Sequence, residues 1–221
     1  MAFLAKLLDK YYRKHSKHYA GQEPGAYGYA AIVVSDAYMA DRYGRATLID
    51  EHQLTMDSQT IGALTKVNRT CSIVASARLS AFLDQSPIEA SLAKAFDFAR
   101  KRFFNPHIGT IPFFLSSILN KLAKHTKGLE GYRAHASYVW NFEQIKGILD
   151  KNLPLIMNIM QGYYANHSIS VCGYKCYKTE GKVINLLAVY DGWHEGVRYL
   201  DLSAFEKDFR AGAIASFNWL A

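Results

Sequence analysis

Residues 167–190 constrain the fold most. HSISVCGYKCYK alternates along what reads as one long strand, and VINLLAVY follows as a buried strand. Gly181-Lys182 between them marks the connection of two antiparallel strands. The surrounding sequence has the same texture from about Gly131 onward. YRAHASYVW alternates, LPLIMNIM is a continuous apolar run after Pro154, and VRYLDL and AIASFNWL read as the last two strands. The earlier part is helical. CSIVASARLSAFL (residues 71–83) reads as a buried helix, with Ala75, Ser76 and Ala77 small enough to let a neighbour approach. Ser86-Pro87-Ile88-Glu89 has a helix-start pattern, with Ser at the cap, and predicts a helix continuing to Phe103. IPFFLSSILNKLAKH predicts an amphipathic helix after Pro112. Helices followed by strands argue for an α+β fold, with N-terminal helices packed on a C-terminal antiparallel sheet, over alternating parallel units.

Composition sets the class. Half of the 221 residues are apolar and a fifth are charged, the balance of a globular chain with a core. The net charge of +7 is spread over Lys6–Lys17, Arg100–Arg102 and Lys121–Lys127, with no single basic stripe, so nucleic acid is not the expected partner. No apolar run reaches the length of a membrane span, and charges at Lys6, Asp9 and Lys10 interrupt any signal-peptide pattern. Stable membrane insertion is therefore not expected. Phe3, Leu4, Leu7, Leu8, Tyr11 and Tyr12 line one face of a predicted helix, expected to pack on the domain. The chain divides on this reading into an extension over residues 1–58 and a main domain over residues 59–221.

Three cysteines, Cys71, Cys172 and Cys176, are too few for a disulfide framework. Four residues of strand would hold Cys172 and Cys176 about 13 Å apart, beyond the reach of a bridge. Reduced thiols and a cytoplasmic location are the expectation. Cys172, Cys176 and His167 do not have the count or spacing of a zinc site, and no phosphate-binding glycine motif occurs. No metal or other cofactor is expected.

Three residues stand where chemistry could be done. Cys71 precedes a helical pattern, and a thiol at a helix N-terminus is more readily ionised; as a buried small hydrophobe it would be inert. His167 opens the longest strand and can lean into a cleft or be a satisfied core residue. His15, His18, His52 and His125 lie in polar surroundings, whereas His135 sits within a strand pattern. Asp191 ends an apolar strand before Gly192-Trp193, where a carboxylate could hold an imidazole or simply start a turn. Asp201, on the next strand, reads as unrelated to such a site.

The order Cys71 at a helix start, His167 at a strand start and Asp191 before Gly-Trp resembles the papain-like cysteine peptidase superfamily, and most nearly the bacterial double-glycine leader peptidase-like domains. The stretches that carry the resemblance are CSIVASARLSAFL, GTIPFFLSSILNKL, LPLIMNI with YANHSISVCGY, and NLLAVYDGW with RYLDLSAF. The resemblance implies Cys71 as nucleophile, His167 as base and Asp191 as its orienting carboxylate, with Trp193 sheltering their contact. It also implies an oxyanion donor ahead of the cysteine. Where relatives carry Gln this chain has Thr65, so Asn68 is the first candidate and Gln59 the second. The implied function is hydrolysis of peptide or amide bonds in a peptide or protein substrate. A silent domain that binds a peptide or protein partner, or an acyl transferase, is an alternative use of the same fold.

Overall fold

The computed structural model of the chain describes residues 34–67, 69–105, 109–160, 164, 167–203 and 214–221. The helix expected over Phe3–Tyr12 and the candidate Asn68 lie outside the described residues. In chain order, the elements that build the site are α1 (Asp36–Tyr43), β1 (Thr47–Gln53), α2 (Ile61–Leu64), α3 (Cys71–Asp84), α4 (Ile88–Arg102), α5 (Leu115–His125), β4 (Ala134–Ser137), α6 (Phe142–Leu149), β5 (Leu155–Ile159), β6 (His167–Lys178), β7 (Val183–Tyr190), β8 (Arg198–Asp201) and β9 (Ile214–Leu220). A short hairpin, β2 (Phe104–Asn105) with β3 (Gly109–Thr110), joins α4 to α5.

The sheet is antiparallel in the order β4-β9-β5-β6-β7-β8, with β1 added along the distal half of β6. β6 is long enough to pair β5 over residues 167–171 and β1 over residues 173–178 on the same edge. The chain is thus α+β, with its first helices leading into a sheet formed mostly by the C-terminal part. Side-chain parity sorts the two faces. Ile156 packs with Ala75 and Leu79 of α3 and Leu115 and Leu119 of α5. Leu155, Met157 and Ile159 pack with Ile145 and Leu149 of α6. α3 and α5 therefore cover one face and α6 the other.

α3 can occupy the centre of the molecule because its side chains are small. Ser72 through Ala81 are all buried. Ile73, Val74 and Ala77 meet Leu92, Ala95 and Ala99 of α4 on the side away from the sheet. The helix ends where Gln85 turns left-handed, at φ 54°. α4 begins at Ile88 with Pro87 at its cap position and no side-chain cap bond, one residue later than a Ser86 cap would start it. α6 was not separable by alternation, although Asn141 caps it by accepting from the Gln144 N–H at 2.8 Å.

Residues 34–53, ahead of α2, pack on this sheet. Asp201 of β8 is fully buried and accepts from Tyr38 Oη at 2.7 Å, from Tyr43 Oη, and from the N–H of Ser203 at 3.0 Å. Arg42 Nε lies 3.6 Å from it. Asp201 is thus the clasp for α1, a role its sequence position does not reveal. β1 lies so close to β6 that a Cβ on Gly173 would come within 2.1 Å of the His52 carbonyl oxygen. Gly173→Ala is expected to lower stability by about 3 kcal/mol through overpacking, read as a lower urea midpoint. An unchanged midpoint would show that β1 is not seated on β6.

Candidate active site

The thiol and the imidazole are brought together by two element ends. Thr70 caps α3 without a side-chain bond to the helix, its hydroxyl donating instead to the Val67 carbonyl at 3.0 Å. The first intrahelical N–H to be bonded is that of Val74, to Thr70. The Cys71 N–H therefore stands at the positive end of the helix without a partner inside it. His167 begins β6 opposite Ile159 of β5. Its imidazole is close enough to the Cys71 thiol for each group to shift the other's ionisation. Cys71 is partly exposed, whereas His167 is only 4% exposed.

The tautomer of His167 is set from behind. Nε2 lies 2.7 Å from the main-chain carbonyl oxygen of Asp191. A carbonyl only accepts, so Nε2 carries a hydrogen and Nδ1 is left for the sulfur. This differs from the contact expected of Asp191. The residue is in place, but its main-chain oxygen holds the imidazole. Its carboxylate, 1% exposed, is occupied elsewhere. Oδ1 accepts from the N–H groups of Trp193 at 2.9 Å and His194 at 3.0 Å. Oδ2 accepts from Tyr164 Oη at 3.2 Å and lies 3.0 Å from His194 Nδ1 and 3.6 Å from Arg198 Nε. The physical reason is the tight turn after β7. With Gly192 at φ 75° the turn folds its own N–H groups onto the carboxylate. The carbonyl is left for the neighbouring strand. The Gly192 carbonyl in turn accepts from Ile61 N–H at 2.7 Å, tying this turn to α2.

Trp193 takes the sheltering position. Its ring stacks on His167 at 4.4 Å between centroids and 30° between planes. Tyr164 stacks on the same imidazole at 5.4 Å and 20°. Trp193 remains 44% exposed, so it covers the imidazole with one face and meets solvent with the other.

The electrostatics follow from these contacts. Burial alone would push the Cys71 thiol up. The charge and closeness of His167 outweigh this and bring it down to about 7, with a smaller contribution from the Ser168 main chain. Burial would lower His167, but the neighbouring Cys71, then the Asp191 carbonyl and the Asp191 charge, raise it above its ordinary value. Asp191 is pushed up by burial and brought below the usual carboxylate value by its bonds from His194 and Trp193. Cys172 has no such partner, and burial pushes it up to about 12. The third thiol, Cys176, is pushed up by burial to about 11.

Gln59 does not reach this site through its amide. Gln59 Nε2 donates to Asp57 Oδ2 at 3.2 Å and to Glu89 Oε1 at 3.3 Å, and the Gln59 main-chain carbonyl accepts from Arg78 Nη2 at 2.7 Å. His135 is exposed on β4, stacked on Trp219 and separated from β6 by β9 and β5. Tyr164, His194, Arg198, Ser72 and Ser168 all touch the site or its supports and were not singled out by sequence. Among the described residues no group of three His, Cys, Asp or Glu side chains could hold a metal ion. Among them, too, no helix is long and apolar enough to cross a membrane.

A thiol at a helix start, facing an imidazole at the start of a sheet strand, defines the class of papain-like cysteine peptidases. The model of the Peptidase_C39-like family matches residues 51–213, and the chain belongs to that family. No curated protein matches the chain.

Proposed function

We propose that the protein is a cysteine peptidase that cleaves peptide bonds through an acyl-enzyme on Cys71, with His167 as proton carrier and Asp191 orienting it. The observation that carries this reading is the placement of Cys71 at the start of α3 beside an imidazole that the Asp191 carbonyl holds and Trp193 covers, with the thiol brought down to about 7 while both other thiols are pushed up. The thiolate, not the thiol, is the attacking species.

In the first half-reaction the Cys71 sulfur attacks the scissile carbonyl carbon and a C–S bond forms. The C–N bond breaks, and the departing amine takes the proton held by His167 Nδ1. In the second, His167 takes a proton from water, the hydroxide attacks the thioester, and the C–S bond breaks to return the thiolate and the acid product. The oxyanion would be met by the Cys71 N–H at the start of α3, with the Asn68 amide as the proposed side-chain donor. The substrate is a peptide or protein. Free thiols at all three cysteines suit a reducing compartment such as the cytoplasm.

Gln59's commitment to Asp57 and Glu89 favours one second reading, a papain-like domain that binds a peptide without cleaving it. Incubation with a diverse peptide library, followed by mass spectrometry, separates the two. The peptidase reading expects cleavage products that disappear in Cys71→Ala, and a thioester adduct on the Cys71 peptide after rapid acid quench. Retention of peptides without products or adduct would favour the binding domain.

A further inference from the structure

The sheet face beneath α3 carries polar side chains in the row next to the catalytic pair. Asn158 of β5 stands directly opposite Ser168 of β6 and Ser216 of β9, so the three form one row across adjacent strands. None is more than 5% exposed. Ser72 Oγ of α3 lies 2.8 Å from Ser168 Oγ, and Ser168 Oγ donates to Asn158 Oδ1 at 2.6 Å. Asn158 Nδ2 donates to Ser216 Oγ at 3.0 Å and to Asn218 Oδ1 at 2.8 Å. Asn218 Nδ2 donates to Ser116 Oγ of α5 at 3.0 Å.

The direction of these bonds is fixed by the number of hydrogens available. The Asn158 amide gives both its contacts on the β9 side, so its carbonyl oxygen faces Ser168. A serine hydroxyl has one hydrogen. Ser168 commits its hydrogen to Asn158, so the bond between Ser72 and Ser168 is donated by Ser72. The chain of donors runs from α3 into the sheet and out again to α5.

Its position in the sequence gives it a consequence for the site. Ser72 follows Cys71, and Ser168 follows His167. One side-chain bond therefore couples the helix bearing the thiol to the strand bearing the imidazole, one residue from each. Apolar side chains could fill this row without the desolvation that buried polar groups incur. A fully bonded polar row adds direction, and so a defined register between helix and sheet.

We propose that Ser168 is a positioning residue: its hydroxyl, anchored by Asn158 and receiving Ser72, locks α3 to β6 at the separation that Cys71 and His167 require. The proposal rests on the Cys71–His167 reading above. Thiol–imidazole contact is sensitive to small displacements, so loss of the lock acts on the thiolate before it acts on the fold.

The test is the pH-dependence of Cys71 alkylation by iodoacetamide, followed by peptide mass spectrometry, in the wild-type protein and three variants. Ser168→Ala is expected to move the midpoint upward and to slow alkylation at pH 7 roughly fivefold, the fall in thiolate fraction at pH 7 when a midpoint near 7 rises by about one unit. Ser72→Ala cuts the same link from the helix side, where alanine is well tolerated, and should move the midpoint in the same direction. Tyr43→Phe loses a bond to the distant Asp201 and should lower the melting temperature without moving the midpoint. If Ser168→Ala does not fold by circular dichroism, Ser72→Ala decides alone. Serine variants that titrate like a wild-type protein whose midpoint is near 7 would overturn the lock and leave the catalytic pair standing. A wild-type Cys71 that titrates as an ordinary thiol would overturn both.

Discussion

His167→Ala is expected to reduce peptide hydrolysis by about 10⁴-fold, the scale on which a proton carrier acts together with the loss of its activated nucleophile. The same substitution should return Cys71 to or above the ordinary thiol range. Cys172 provides the comparison inside the molecule: a buried thiol without an imidazole is pushed up to about 12. Cys71 meets the same opposing effect of burial, and His167 is the largest of the influences that outweigh it. Without the imidazole, alkylation of Cys71 at pH 7 should slow by about 50-fold, as a half-ionised thiol becomes an almost wholly protonated one. Kinetics on the peptides that the wild-type protein cleaves, together with alkylation rates, check both effects. An active His167→Ala protein would remove the imidazole from the mechanism.

Asp191 separates into two roles, and two substitutions should tell them apart. Its carbonyl holds His167, and no side-chain change deletes that oxygen. Its carboxylate holds the turn, through Tyr164, Arg198, His194 and two main-chain N–H groups. Asp191→Ala is therefore expected to cost about 3–5 kcal/mol, the scale for removing one partner of a buried charged pair, read as a loss of urea stability. Asp191→Asn retains acceptor oxygen and shape but loses the charge that helps to raise His167. It should fold and lose activity by no more than about tenfold, against about 10⁴-fold where a carboxylate alone fixes the tautomer. Loss of activity on the larger scale in a folded Asp191→Asn protein would mean that the carboxylate holds the imidazole directly during turnover. Asp201→Ala is no neutral control for these variants, because Asp201 clasps α1 through Tyr38 and Tyr43.

Sequence exposed the site's ends better than its supports. Cys71 and His167 were legible because each begins an element with a clear period. The hairpin of β6 and β7 was legible because HSISVCGYKCYK alternates and Gly181-Lys182 interrupts the apolar pattern. β1 was not, since TLIDEHQ is a largely exposed edge strand with little apolar pattern. α6 is eight residues long and follows an alternating run, so only its Asn141 cap and the spacing of Phe142, Ile145 and Leu149 announce it. The hold of Asp191 on His167 could not be read at all, because a main-chain oxygen has no residue identity. The burial of Ser168 and Ser170 is not visible in the alternation of their strand, because it comes from α3 and α5 covering that face while α6 covers the other.

The pH-dependence of the reactive thiol decides the central claim. Cys71 is depressed and His167 is raised. The thiolate therefore appears as pH rises through about 7, and the imidazole keeps its proton to higher pH than an ordinary histidine does. Above the His167 value the ion pair is lost again, because the acid needed by the leaving amine is gone. Hydrolysis should accordingly rise and then fall with pH, but alkylation needs only the thiolate and should rise once and stay high. The decisive measurement is the alkylation rate of each cysteine from pH 5 to pH 10 by peptide mass spectrometry. The expected result is a single rise at Cys71 centred near 7, with Cys172 and Cys176 unreactive across the lower half of that range. Labelling of Cys172 or Cys176 ahead of Cys71, or a Cys71 midpoint at the ordinary thiol value, would contradict the account.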